Sequence, residues 1–173
     1  MQLLLISGSL RAESLNTKLL RAFAAGVSDE TEVSFAEIGD LPLFNEDREA
    51  NFPPAATALR QQIVAADAII ISTPEYNRAM SGALKNAIDW ASRPYGENAW
   101  AGKQILVCSV SPGSISGAVA NYQVKQSLMH LGAQVLPDEF MVGNAGGKFD
   151  EQGTLTDEKT LGFIARTLEK LGV

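Results

Sequence analysis

Three short stretches are apolar at every position: Leu3-Leu4-Leu5-Ile6, Ala68-Ile69-Ile70-Ile71 and Ile105-Leu106-Val107-Cys108. A strand with one wet face alternates polar and apolar residues, so these continuous runs predict strands covered on both faces. Glu32-Val33-Ser34-Phe35-Ala36-Glu37 does alternate, and predicts a half-covered strand at a sheet edge. A fifth strand is expected near Val135-Leu136 or running on into Phe140-Met141-Val142.

Between the strands the apolar period changes from continuous to helical. Leu15, Leu19, Leu20 and Phe23 form one stripe, and Leu59, Ile63 and Val64 a second. Leu84, Ala87, Ile88 and Ala91 form a third; Tyr122, Leu128 and Leu131 a fourth. The last is the clearest: Leu161, Ile164, Ala165, Leu168 and Leu171, with Thr156 as its expected N-cap, Asp157 and Glu158 in its first turn, and Gly172 at its end. Strands alternating with helices predict a five-stranded parallel sheet with helices on both faces, an α/β fold of order 2-1-3-4-5 in one domain over residues 1-173. The longest irregular stretch, Leu41 to Pro54, reads as a candidate flap over a site.

Composition narrows the partners. Fourteen Lys+Arg against 20 Asp+Glu give a net charge of −6. That balance argues against a general nucleic-acid binder, which must neutralise phosphates. A single cysteine makes no internal disulfide and no thiolate zinc site, which favours a reducing compartment. The opening Met1 to Ile6 is too short for a signal sequence, and no run reaches the ~18 apolar residues of a membrane span. A cytoplasmic protein is the expectation.

In a sheet of this order, ligands bind at the carboxyl ends of the central strands, the first, third and fourth. The first is followed by Gly8-Ser9-Leu10-Arg11-Ala12-Glu13-Ser14-Leu15-Asn16-Thr17, leading into a helix. Hydroxyls, an amide, an arginine and free N–H groups at a helix N-terminus suit a phosphate dianion; an ordinary helix cap is the plainer alternative. The loop has neither the Gly-Lys-Ser/Thr of nucleotide triphosphatases nor a Gly-x-Gly-x-x-Gly. After the third strand, Pro74-Glu75-Tyr76-Asn77 offers a flat aromatic face and polar edges, although a solvated turn fits as well. After the fourth, Ser109-Val110-Ser111-Pro112-Gly113 is small enough to bring backbone close to a ligand. All three fall at one edge of the expected sheet.

These segments resemble the NADPH-dependent FMN reductases, including their quinone- and chromate-reductase-like members. The likeness is carried by Gly8-Ser9-Leu10-Arg11-x-x-Ser14-x-Asn16, Pro74-Glu75-Tyr76-Asn77 and Gly82-x-Leu84-Lys85-Asn86-Ala87-Ile88-Asp89-Trp90. Gly117-Ala118-x-x-x-Tyr122-Gln123 and Leu131-Gly132-Ala133 add to it. The resemblance implies a flavodoxin-like three-layer fold that binds FMN, is reduced by NADPH or NADH, and passes electrons to quinones or other small acceptors. It implies that the loop from Ser9 to Asn16 holds the FMN phosphate, through Ser9, Arg11, Ser14 and Asn16, with Leu10 and Leu15 among them. Pro74, Glu75, Tyr76 and Asn77 would line the isoalloxazine; Val110, Ser111 and Gly113 would close the ribityl or ring side. A homodimer or homotetramer is implied, with the helix around Lys85 to Trp90 at an interface. The chain departs from the pattern at Arg78, Ser81 and Val119.

No side chain is expected to act as a catalyst, and no spacing suggests a metal site, because hydride chemistry belongs to the flavin. His130 reads as structural or surface, and Cys108 as a small hydrophobe in a strand. Trp90 and Trp100 suit either the core or a subunit contact. Glu75 is the one acid placed near the site, unless it pairs with a neighbouring subunit. A flavodoxin-like electron carrier is the alternative function, against which stands the absence of a Thr/Ser-x-Thr-Gly-x-Thr loop. A flavin-free binding domain is a third reading.

Overall fold

The computed structural model describes residues 1–173. Its centre is a parallel sheet of β1 (Gln2–Ser7), β2 (Glu32–Ala36), β3 (Ala68–Ser72) and β6 (Gln104–Val110), with a last position shared by β7 (Gln134–Val135) and β8 (Phe140–Val142). The order is β2-β1-β3-β6-β7, with β8 also pairing β6. This is the expected 2-1-3-4-5 arrangement. Both candidate locations of the fifth strand are thus occupied, because Leu136-Pro137-Asp138-Glu139 interrupts it; proline has no N–H to give a ladder.

Alternate side chains of the apolar strands go to opposite faces. Leu4, Ile6, Ile69, Ile71, Ile105 and Val107 meet α2 (Pro54–Ala65), α3 (Gly82–Ala91) and α4 (Ala118–His130). Leu3, Leu5, Ile70, Leu106 and Cys108 meet α1 (Leu15–Gly26) and α5 (Glu158–Leu171). A remaining pair, β4 (Glu75–Tyr76) and β5 (Ala79–Met80), forms a small antiparallel hairpin beside the main sheet.

Several helix faces differ from their predicted stripes. Val64 is exposed, since Ala56, Leu59 and Ile63 already complete the buried face of α2. Tyr122 is half exposed; α4 buries Ala120, Asn121, Val124 and Leu128 instead. On α5, Leu161 and Ala165 face out, and Thr160 and Thr167 take their places. Both threonines bond locally, Thr160 Oγ1 to Asp157 and Thr167 Oγ1 to the Phe163 carbonyl, so burial leaves neither hydroxyl unpaired. The N-cap of α5 is Asp157, one residue beyond the expected Thr156, with its side chain accepting from the Thr160 N–H.

Leu41 to Pro54 is a packed strap rather than a flap. Asn86 accepts from the Phe44 N–H at 2.7 Å and donates to the Pro42 carbonyl at 3.0 Å. Trp90 also donates to the Pro42 carbonyl, while Phe44 and Phe52 pack edge-on against its ring. Trp90 and Trp100 are both fully buried core residues of this chain. They offer no surface to a subunit contact.

Candidate functional site

The turn out of β1 is held closed by a glycine. Gly8 donates to the Ser72 carbonyl at 2.8 Å. A Cβ there would lie 3.0 Å from Pro74 Cδ and 3.2 Å from both Leu84 Cδ2 and the Ser72 oxygen. Only glycine lets the loops after β1 and β3 approach so closely. Ser81 ties them to α3: its hydroxyl donates to the Gly8 carbonyl at 2.5 Å and caps the Leu84 N–H.

Beyond that turn the chain presents donors. Ser14 caps α1 by accepting from the Thr17 N–H at 3.2 Å. The N–H groups of Leu15 and Asn16 have no acceptor within the chain. These are the orphan donors of a helix N-terminus, backed by the positive end of its dipole. Asn16 is buried beside them. Its Oδ1 accepts from the Ser72 hydroxyl at 2.8 Å and the Val110 N–H at 3.3 Å. A backbone N–H can only donate, so the amide oxygen must face Val110, and Nδ2 is left for the cleft. Arg11 is exposed with no carboxylate partner. Glu13, two residues on, is committed to Lys18 at 2.7 Å, which holds its carboxyl below the ordinary range.

The segment after β3 is the β4–β5 hairpin, with Asn77 and Arg78 at φ 51° and 62° in its two-residue turn. Glycine is usual in such turns, and Arg78 is held there by other contacts. Its guanidinium meets Glu75 at 3.0 Å, and Gln123 of α4 bonds both the Arg78 carbonyl and the Met80 N–H. The other Glu75 oxygen accepts from the Val119 and Ala120 N–H groups at 3.0 and 3.2 Å. Glu75 therefore caps α4, whose own N-cap residue, Gly117, has no side chain to do so. The acid expected beside the ring is already used within its own chain.

After β6, the Ser111 N–H donates to the Val142 carbonyl and Ser109 Oγ to the Ser116 carbonyl. These bonds fix the third wall.

The three segments enclose one cleft. It is lined by Ser9, Arg11, Ser14, Leu15, Asn16, Pro74, Glu75, Tyr76, Val110, Ser111 and Pro112. Three predicted residues lie outside that lining. Leu10 turns toward Gly39, Asn77 occupies the hairpin tip, and Gly113 is drawn back by the bonds between its carbonyl and the N–H groups of Ser116 and Asn144. Pro112 was missed, having no polar atom beyond its carbonyl to draw attention. Ser81, noted only as a departure, is the buried link between the loops. Cys108 is fully buried, its thiol pushed up to about 12, and His130 is exposed at the end of α4.

The donor set fits a phosphate. Two N–H groups, three donor side chains with uncommitted hydrogens (Ser9, Ser14, Asn16) and a guanidinium converge, while the one lining carboxylate is paired elsewhere. The enclosed volume is about 130 Å³, below the ~300 Å³ of ordinary ligand pockets. That volume suits a phosphate group and is too small for a fused three-ring system.

Residues 1–147 match the family described as NADPH-dependent FMN reductase. The chain belongs to the NADPH-dependent FMN reductases. As a member it is an NAD(P)H-dependent flavin oxidoreductase, with FMN as its flavin. A quinone reductase of Pseudomonas putida is 46% identical over 167 residues, 95% of this chain and 89% of that protein. A 2-hydroxy-1,4-benzoquinone reductase of a Burkholderia species is 35% identical over 171 residues, 98% and 93% of the two chains. Among solved structures, the flavoenzyme NAD(P)H:(acceptor) oxidoreductase FerB of Paracoccus denitrificans superposes with a TM-score of 0.88 at 38% identity, covering 98% of this chain and 94% of that one. The flavodoxin-like sheet order of the FMN reductases is the one described above.

Proposed function

We propose that this FMN reductase delivers electrons from NAD(P)H to quinones, with the Ser9–Asn16 loop holding the FMN phosphate. One observation carries the placement: the cleft offers unpaired donors and no free carboxylate, at the end of the sheet where such ligands bind. The quinone is supported by what the similar proteins from Pseudomonas putida and Burkholderia are named for.

Bound there, FMN supplies the hydride chemistry that no side chain of the cleft can supply. The chain's part is to bind and orient. Leu15 and Asn16 N–H, Asn16 Nδ2, the Ser9 and Ser14 hydroxyls and Arg11 hold the anionic end. Tyr76, 46% exposed at the rim, offers an aromatic face against which planar groups can pack. Glu75 and Gln123 hold the hairpin carrying Tyr76 against α4. No proton donor is required of the protein.

No helix is long and apolar enough to cross a membrane. We place the protein in the cytoplasm as a homo-oligomer, a reading supported by the lone buried thiol and by the exposed apolar residues Val119, Tyr122 and Met129 along α4. Light scattering at micromolar concentration checks the assembly; a monomer there removes it.

The test is anaerobic. NADPH added to the FMN-loaded protein should bleach the flavin absorbance, and an equivalent of 1,4-benzoquinone should restore it. Bleaching by dithionite but not by either nicotinamide would instead favour an electron carrier.

A further inference from the structure

Two cavities flank the flavin cleft, and their charges are opposite. One, of about 360 Å³, shares Ser9 and Arg11 with the cleft but also carries Glu37 and Asp40. The other, of about 410 Å³, lies between β8 and the first turns of α5 and is lined by Lys148, Lys159 and Arg166 with a single carboxylate, Asp157. In a chain of net charge −6, such a concentration of cations needs a reason.

The carboxylate does not cancel them. Asp157 Oδ1 meets Lys148 Nζ at 2.8 Å, and Oδ2 accepts from the Thr160 N–H and hydroxyl at 3.0 and 2.5 Å. Asp157 is thus fully occupied, and it offsets Lys148 alone. Lys159 and Arg166 have no carboxylate within ion-pair distance. Lys159, Phe163 and Arg166 follow at i, i+4 and i+7 and share one face of α5. Lys159 also sits in the first turn, where the helix dipole disfavours a cation, an arrangement that an anion bound beside it would offset. Met141, Val142 and Phe163 provide an apolar floor, with the Arg166 guanidinium 5.6 Å from the Phe163 ring centre.

The cavity adjoins the cleft. Val142 lines the cavity, and its carbonyl accepts from the N–H of Ser111, which lines the cleft, at 2.9 Å. Both therefore reach the carboxyl ends of β6 and β8, which pair in parallel with Val110 opposite Val142.

We propose that this cavity is the site for the adenosine 2′-phosphate of NADPH, with Lys159 and Arg166 as the residues that prefer NADPH over NADH. The proposal rests on the NAD(P)H oxidoreductase reading and extends it to the part of the reductant remote from the chemistry. A phosphate dianion is favoured by paired cations and disfavoured by the carboxylates of the opposite cavity, and an apolar floor suits a purine.

The experiment has a binding arm and a kinetic arm. Adenosine 2′,5′-bisphosphate is titrated calorimetrically into the FMN-loaded protein and its Lys159→Gln/Arg166→Gln variant, at low and at moderate salt. The expected result is binding that weakens with salt and falls at least tenfold in the variant. In the kinetic arm, the variant should raise KM for NADPH about tenfold with kcat held, and move KM for NADH less than twofold. Glu37→Gln, in the opposite cavity, should leave the KM for NADPH where it was. Equal binding of the bisphosphate to both proteins, or KM values for NADPH and NADH that move together, overturns the assignment. So does a larger effect from Glu37→Gln. If neither nicotinamide is oxidised, the oxidoreductase reading fails, and the bisphosphate titration still decides whether the cavity binds it.

Discussion

The loop between β1 and α1 and the hairpin between β3 and α3 enter the same cleft from adjacent strands, but their polar groups have opposite fates. In the hairpin both charged side chains, Glu75 and Arg78, are tied within the chain. Glu75 caps α4 and pairs Arg78, and Gln123 clamps the turn from outside. In the loop the reverse holds: the Leu15 and Asn16 N–H groups, Asn16 Nδ2 and Arg11 are left without partners while the backbone around them is fixed by Gly8, Ser81 and Ser14. Preorganised, unpaired donors are what an anion site requires, and a hairpin with its charges paired and its turn clamped is what a rigid wall requires. The difference supports the proposal that one segment recognises the charged end and the other gives shape.

The largest way to break that contrast is at Asn16, which belongs to both scaffold and donor set. Asn16→Ala strands the Val110 N–H and the Ser72 hydroxyl, and should lower stability by about 2–4 kcal/mol in denaturant titration. Asn16→Asp separates the two duties. It keeps an oxygen facing Val110 and Ser72 but turns the free donor into an acceptor, so most stability should survive while FMN affinity falls far more than riboflavin affinity. If both flavins weaken alike, Asn16 Nδ2 does not meet the phosphate.

Arg11 tests the loop without touching the scaffold. A charge-assisted contact is worth about 1.5–3 kcal/mol, so Arg11→Ala should weaken FMN roughly ten- to a hundredfold with no change in Tm. On the hairpin the expected pattern is inverted. Glu75→Ala uncaps α4 and should lower stability by about 0.5–2 kcal/mol, with FMN and riboflavin losing affinity equally. An FMN-selective loss would place Glu75 near the phosphate after all.

The smallest effect lies outside the cleft, at Asp157. Lys148 and the Thr160 contacts hold its carboxyl down, from an ordinary 3.8 to about 2. A depressed folded-state value means stability that is present above about pH 4 and lost as the pH falls toward 2. Thermal melts over that window should fall less steeply for Asp157→Asn than for the unaltered chain.

How legible all this was in the sequence depended on whether a residue's duty was local. The buried strands announced themselves through unbroken aliphatic runs, and all eleven residues lining the cleft stand in three recognisable segments, ten of them expected as site residues. Tertiary duties were hidden. Nothing beside Glu75 in sequence shows that its carboxylate caps a helix beginning at Ala118. Asn16 was legible as a phosphate candidate but not as part of the scaffold, because its partners Ser72 and Val110 are far along the chain. Tyr122 and Leu161 were placed in the core by apolar character alone, whereas Thr160 is buried with its hydroxyl bonded to Asp157 and Asn121 with its Nδ2 donating to the Val107 carbonyl. The strap from Leu41 to Pro54 has the composition of a loop, and only the Asn86 and Trp90 contacts reveal it as packed.

The central claim, that the unpaired donors of the β1–α1 loop exist to hold a phosphate dianion, is most directly tested by calorimetric titration of the flavin-free protein with FMN and with riboflavin under identical conditions. Riboflavin carries the same rings and ribityl chain without the phosphate. The account predicts FMN binding at least a hundredfold tighter, an advantage that shrinks as salt is raised and collapses in Arg11→Ala. Equal affinity for the two flavins would contradict it, and would leave those donors without the ligand assigned to them.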